Sequence, residues 1–118
     1  MTHRDVFVVS TARTAIGTFG GSLKDVPNTQ LATTAVKAAI TRAGLAPDAV
    51  GHVVMGNVIP TDTKDAYLAR VAAIDAGCPI ETPAFNVNRL CGSGLQAIIS
   101  AAQAIGYGDC DVAVGGGS

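Results

Sequence analysis

Apolar residues in this chain alternate between short unbroken runs and longer stretches spaced three to four residues apart. Val6 to Val9 is the first unbroken run and predicts a buried strand. Ser10 to Leu23, with Gly17, Gly20 and Gly21, reads as a long loop. Leu31, Ala35, Ala39 and Ala43 then recur every four residues, widened by Val36 and Ile40. That spacing predicts a helix from about Gln30 to Ala43, capped by Asn28 or Thr29 and stopped by Gly44. Val50 to Ile59 is the second strand, bent by Gly51 and Gly56 and closed by Pro60. Asp62 or Thr63 can cap a second helix, Lys64 to Ala76, with Leu68, Val71, Ala72 and Asp75 on one face and Gly77 as its stop. Pro83 to Asn88 reads as a third strand, Gly92 to Gly106 as a third helix, and Asp111 to Val114 as a fourth strand before Gly115-Gly116-Gly117-Ser118.

The order β-α-β-α-β-α-β with short connections predicts a layered α/β fold with a mostly parallel sheet and right-handed crossovers. The third helix is small and apolar on nearly every side (Ala97, Ile98, Ile99, Ala101, Ala102, Ala104, Ile105). Such a helix needs cover all round, which one four-stranded sheet does not supply. The chain stops directly after a strand and a glycine run, so it reads as the front part of a larger fold. The alternative is a self-sufficient small domain with a glycine tail.

Composition narrows the function. Charged residues make up 14% of the 118, against about a quarter in ordinary domains, so much of the surface is expected to be covered. Net charge is −1, with no basic patch or charge run to attract nucleic acid or a membrane surface. Leu95 to Ile105 is too short to span a bilayer, and the N-terminus lacks the apolar core of a signal peptide. Cys78, Cys91 and Cys110 show no metal-binding spacing, and His3 and His52 stand apart from other ligand types, so no metal site is expected. An odd number of cysteines without a secretion signal fits free thiols in a reducing, cytoplasmic setting.

Cys91 is the candidate for chemistry. It sits in Asn88-Arg89-Leu90-Cys91-Gly92-Ser93-Gly94-Leu95, a glycine-rich turn just before the third helix. Unpaired N–H groups and the positive end of the dipole at a helix start favour a thiolate, the nucleophilic form of cysteine. The same pattern fits an inert core thiol at a helix start. Cys78 follows a helix stop and Cys110 precedes a strand, so both read as structural. The Ser10–Leu23 loop lacks the glycine and lysine spacing of a phosphate cradle.

The segment Asn88 to Ala97 resembles the acyl-enzyme signature of thiolases, the acetyl-CoA C-acyltransferases. Ser10 to Leu23 is similar to the first loop of that family, and Asp111 to Ser118 to its fourth strand and the glycine-rich segment after it. The likeness runs from residue 6 to residue 118 and covers about the first third of a whole thiolase. It implies two similar layered α/β halves, of which residues 1–118 are the N-terminal part of the first. It implies Cys91 as the nucleophile carrying an acyl group, with its backbone N–H at the thioester oxyanion. It implies ping-pong transfer between acyl-CoA and acetyl-CoA, with coenzyme A thioesters as substrates rather than a resident cofactor. A homo-oligomer, a dimer of dimers, is implied for the full enzyme.

The family's activating histidine, its second acid/base cysteine and most of its CoA-binding loop match nothing in this chain. The 118 residues alone are therefore expected to be inert. Lys64-Asp65-Ala66-Tyr67-Leu68-Ala69-Arg70 replaces the Gln-Asn-Pro-Ala-Arg-like run of many biosynthetic thiolases. It resembles bacterial 3-ketothiolases that accept somewhat longer acyl groups. Arg70 is expected to be a structural ion-pair partner rather than a substrate ligand. Two alternatives stay open: another condensing enzyme of the same fold, such as a ketoacyl synthase, or a non-catalytic fragment.

Overall fold

The computed structural model describes residues 4–118. Three helices and three strands alternate: α1 (Asn28–Arg42), β1 (His52–Gly56), α2 (Leu68–Asp75), β2 (Ala84–Val87), α3 (Ser93–Tyr107) and β3 (Ala113–Gly117). The strands form one parallel sheet in the order β2-β1-β3, with Val53 of β1 opposite both Ala84 and Val114. The layered α/β arrangement with a parallel sheet is thus as expected.

The central strand is buried on both faces, which is why its sequence is a continuous apolar run. Val53 and Met55 pack with Ala32, Val36 and Ile40 of α1 and with Leu68 and Ala72 of α2. Val54 points the other way and packs with Ala97 and Ala101 of α3. The layers are therefore α1 with α2, the sheet, and α3. Gly44 and Gly77 end the first two helical segments in left-handed conformations (φ +71° and +94°), as their positions predict.

Several expectations need correction. Val6–Val9 forms no strand with the sheet. Phe7 and Val8 are each 76% exposed; the run has a strand's composition, but no strand of the sheet pairs with it. An ion pair between Arg4 and Asp111 ties this segment near the start of β3. The sheet accordingly has three strands among the described residues, not four. Helix α1 begins at Asn28 with Pro27 as its N-cap; proline carries no side-chain acceptor, so the helix has no side-chain cap, and the Asn28 side chain, one position inside the helix, accepts from the Ser118 hydroxyl. Its buried stripe is Ala32, Val36 and Ile40, flanked by the partly exposed Leu31, Ala35 and Ala39.

The predicted helix 64–76 is broken into a 3-10 turn, Thr63–Tyr67, and the α-helix α2. Asp62 caps it by accepting from the Lys64 amide. The break has a visible cause. The Asn86 side chain accepts from the Ala69 amide (2.8 Å) and donates to the Asp65 carbonyl (2.8 Å). It inserts itself between the two groups that a continuous α-helix would pair with each other. Leu68 and Ala72 face the core as expected, whereas Asp75 is exposed.

Helix α3 lies where predicted but is buried on one side only, at Ser93, Ala97 and Ala101, with Leu95 66% exposed. Strand β3 extends through Gly115, Gly116 and Gly117, further than the apolar run alone indicates. The glycines allow it: a Cβ on Gly115 would stand 2.6 Å from the Ile98 Cα, so α3 rests its backbone directly on the strand.

Candidate functional site

All three parallel strands end at one edge of the sheet, the edge where open α/β sheets place their ligand sites. Cys91 lies there, in the turn from β2 to α3, and its side chain is exposed. It precedes the first helical residue, Ser93, by two positions. Cys91 therefore stands at the helix start, as its place in the sequence predicts, and is exposed in these 118 residues.

The turn is fastened by side chains as well as by its own backbone. The Gly92 amide donates to the Arg89 carbonyl and the Ser93 amide to the Leu90 carbonyl, both at 3.1 Å. Asn88 accepts from the Leu90 amide through Oδ1 (3.0 Å) and donates through Nδ2 to the Val58 carbonyl beyond β1 (3.3 Å). The Ser93 hydroxyl accepts from the Arg89 amide (2.8 Å) and donates to the Leu90 carbonyl (2.7 Å). Arg89 reaches over the first turn of α3 to Gln96 Oε1 (2.6 Å). Leu90 has φ +50° and is, among the described residues, the one non-glycine residue in the left-handed region. Sequence reasoning identified the turn but not this conformation. The signal was available in Asn88, whose side chain suits a turn that bonds two residues on.

Below the turn the helix start sits hard on the sheet. A Cβ on Gly56, the last residue of β1, would lie 2.7 Å from the Ser93 carbonyl carbon and 2.8 Å from the Gly94 nitrogen. Gly117, the last residue of β3, faces the Gly94 Cα at 3.5 Å by the same construction. The edge is completed by Asn57, which donates to the Ser118 carbonyl (2.9 Å), and by an open groove bordered by Asn28, Val58 and Thr61.

The other candidates separate from this edge. Cys78 is buried, and burial pushes its thiol up. Burial also raises Cys110, and Asp109 and Asp111 beside it add to the effect. Both thiols are thus disfavoured as thiolates near neutral pH. His52 meets Phe85 edge-on at 5.5 Å, and His3 lies outside the described residues. Among the described residues no three His, Cys, Asp or Glu side chains gather as a metal site, and no helix is long and apolar enough to cross a membrane. Arg70 is structural, but its partners are the carbonyls of Thr82 and Ile80 (3.0 Å each) and not the carboxylate that was expected.

Asp65 is the buried charge near this edge, 1% exposed. Burial pushes its carboxyl up. Hydrogen bonds from the Thr61 hydroxyl and amide and from the Asp62 amide outweigh this and hold it below the usual range.

Residues 6–118 match the family model described as "Thiolase, N-terminal domain". The beta-ketothiolase BktB of Cupriavidus necator is 62% identical over 115 residues, which is 98% of this chain and 29% of that protein. The human mitochondrial 3-ketoacyl-CoA thiolase is 44% identical over 98% of this chain and 29% of its own length. Among solved structures, an acetyl-CoA acetyltransferase of Bacillus anthracis superposes with a TM-score of 0.92 at 40% identity, covering 98% of this chain and 29% of that one. The human mitochondrial 3-ketoacyl-CoA thiolase in complex with CoA gives 0.85 at 43% identity, over 88% of this chain and 26% of that one. The chain thus spans less than a third of the length of the curated relatives it matches.

Proposed function

This chain belongs to the thiolase family, and on that premise we propose that it carries the acyl-accepting nucleophile of an acyl-CoA:acetyl-CoA C-acyltransferase, with Cys91 in that role. The observation that carries the reading is the exposed Cys91 thiol in a side-chain-fastened turn at the strand-end edge of a parallel sheet, just before α3. In the forward reaction the Cys91 thiolate adds to the thioester carbonyl of acyl-CoA. The Cys91 amide N–H is offered to the oxyanion, and CoA thiolate departs and takes up a proton, leaving an acyl-cysteine. A second acetyl-CoA then loses its α-proton to a base. The resulting carbanion attacks the acyl carbonyl, giving 3-oxoacyl-CoA and restoring the Cys91 thiolate. Thiolysis runs these steps backwards.

Residues 1–118 form the N-terminal part of the first domain in this reading. The base and the second acid/base group belong to chain outside these residues, so the 118 residues alone do not turn over. Coenzyme A thioesters are substrates, no resident cofactor is required, and the full enzyme is a cytoplasmic homo-oligomer.

The test is thiolysis of acetoacetyl-CoA by free CoA, using the full-length protein and its Cys91→Ala variant. The wild type is expected to turn over and the variant to lose about 10³-fold or more. CoA-insensitive wild-type protein would instead favour a ketoacyl synthase. A Cys91→Ala variant that keeps the wild-type rate removes Cys91 from the chemistry.

A further inference from the structure

We propose that Ser93 is a positioning residue for Cys91, acting by holding Leu90 in its left-handed conformation. The inference rests on the reading of Cys91 as the nucleophile and assigns to Ser93 no contact with substrate. Leu90 immediately precedes Cys91, so its φ sets the direction in which the next residue leaves the turn. A leucine at φ +50° crowds its Cβ against backbone and does not stay there unaided. Its side chain gives no compensation, being 67% exposed.

Ser93 supplies the missing restraint. Ser93 is 4% exposed, and its hydroxyl makes two hydrogen bonds to the turn, accepting from the Arg89 amide and donating to the Leu90 carbonyl. These two groups lie on the peptide units flanking Arg89 and Leu90, so one hydroxyl ties the chain on both sides of the strained residue. Asn88 holds the Leu90 amide from the strand side. Ser93 in turn is fixed from below, because Gly56 lets its backbone seat on β1 with no room for a Cβ between them. The restraint therefore runs from the sheet floor through Ser93 to Leu90 and on to the Cys91 amide and thiol. Strained residues persist where their surroundings over-determine them, and this turn is determined from three sides.

The experiment uses the full-length protein, with steady-state thiolysis, single-turnover acylation by acetyl-CoA, and thermal melting. Ser93→Ala is expected to lower kcat and the acylation rate about tenfold or more, while KM moves less than about twofold, since the loss is of geometry at the reacting atoms. Adding Leu90→Gly to Ser93→Ala is expected to recover most of the rate, because glycine occupies positive φ without the hydroxyl's help. A Ser93 that merely stabilises the fold predicts another pattern, a lower melting temperature with kcat per folded molecule unchanged; that pattern overturns the proposal. If Ser93→Ala yields no folded protein, the double variant decides alone. Folded and acylated near the wild-type rate, it supports the proposal; unfolded, or folded and still slow, it overturns it. Wild-type protein that turns over with no acyl group on Cys91 refutes the nucleophile assignment itself, and that is read without any Ser93 variant.

Discussion

Gly56→Ala is the most informative single-atom perturbation of this fold. The added Cβ would lie 2.7, 2.8 and 2.9 Å from the Ser93 carbonyl carbon, the Gly94 nitrogen and the Ser93 Cβ, where ordinary contact begins at 3.4 Å. Two of these atoms are backbone and the third is fixed to it, so no rotamer change relieves the clash. Helix α3 and β1 must part by about 0.7 Å at the turn that carries Cys91. Overpacking of this kind costs about 1–3 kcal/mol. A shift approaching 1 Å near reacting groups costs up to about 10²-fold in rate, so a loss of about tenfold is expected here. Gly106→Ala is the matched control, also touching α3 but with nothing within 4 Å of its Cβ. It should be neutral or stabilise by up to about 1 kcal/mol through helix propensity. Urea unfolding and steady-state kinetics of both variants provide the assay. A Gly56→Ala protein within about 0.5 kcal/mol and twofold of wild type would refute the claim that the helix start is seated on the sheet backbone.

Three further outcomes follow from other contacts. Asp65→Asn is expected to destabilise the protein by about 1.5–3 kcal/mol near neutral pH, because it replaces a hydrogen-bonded carboxylate. The Asp65 carboxyl is held below its ordinary value when folded, so its contribution is present above the unfolded pKa and fades as pH falls through the folded one. Melting curves from pH 7 to pH 3 should show the gap between wild type and variant closing on the acid side; a gap that widens contradicts the argument. Asn86→Ala leaves the Ala69 amide and the Asp65 carbonyl without their bridge and should lower stability by about 1–3 kcal/mol in urea unfolding. Iodoacetamide at neutral pH should label Cys91 well before Cys78 and Cys110, since Cys91 is exposed while burial raises the other two thiols; peptide mapping by mass reads the order.

Element type and order were legible in the sequence wherever periodicity and stop residues agreed. The stripe through Val36 and Ile40, the stops at Gly44 and Gly77, and the two-faced apolar run in β1 each carry their own local cause. What misled was information held by distant partners. Val6–Val9 has a strand's composition, but strand pairing is a property of two segments. The 64–76 helix has a helical period, but Asn86, on another strand, interrupts its hydrogen-bond ladder. Asn28 has a cap's chemistry, but the helix starts one residue earlier than its pattern suggests, so Pro27 holds the N-cap position.

The site shows the same division. Cys91 and its glycine-rich turn stand out from local composition, and the likeness to thiolases rests on residues contiguous in sequence. The left-handed Leu90 does not stand out, because leucine carries no sign of the conformation that Asn88 and Ser93 impose on it. The seating of α3 was hidden for a related reason. In the sequence Gly56 reads as a bend and Gly115 as the residue after a strand, and only the packed helix shows that their missing Cβ atoms make room for it.

The central claim is that Cys91 carries the acyl group, and trapping that intermediate tests it most directly. The full-length protein is mixed with acetyl-CoA in the absence of free CoA, quenched in acid, digested and mapped by mass. One acetyl group per active chain is expected, on the peptide containing Cys91, labile to hydroxylamine and absent from Cys91→Ala. Protein that catalyses thiolysis while its Cys91 peptide stays unmodified, or whose acetyl group resides on Cys78 or Cys110, would contradict it.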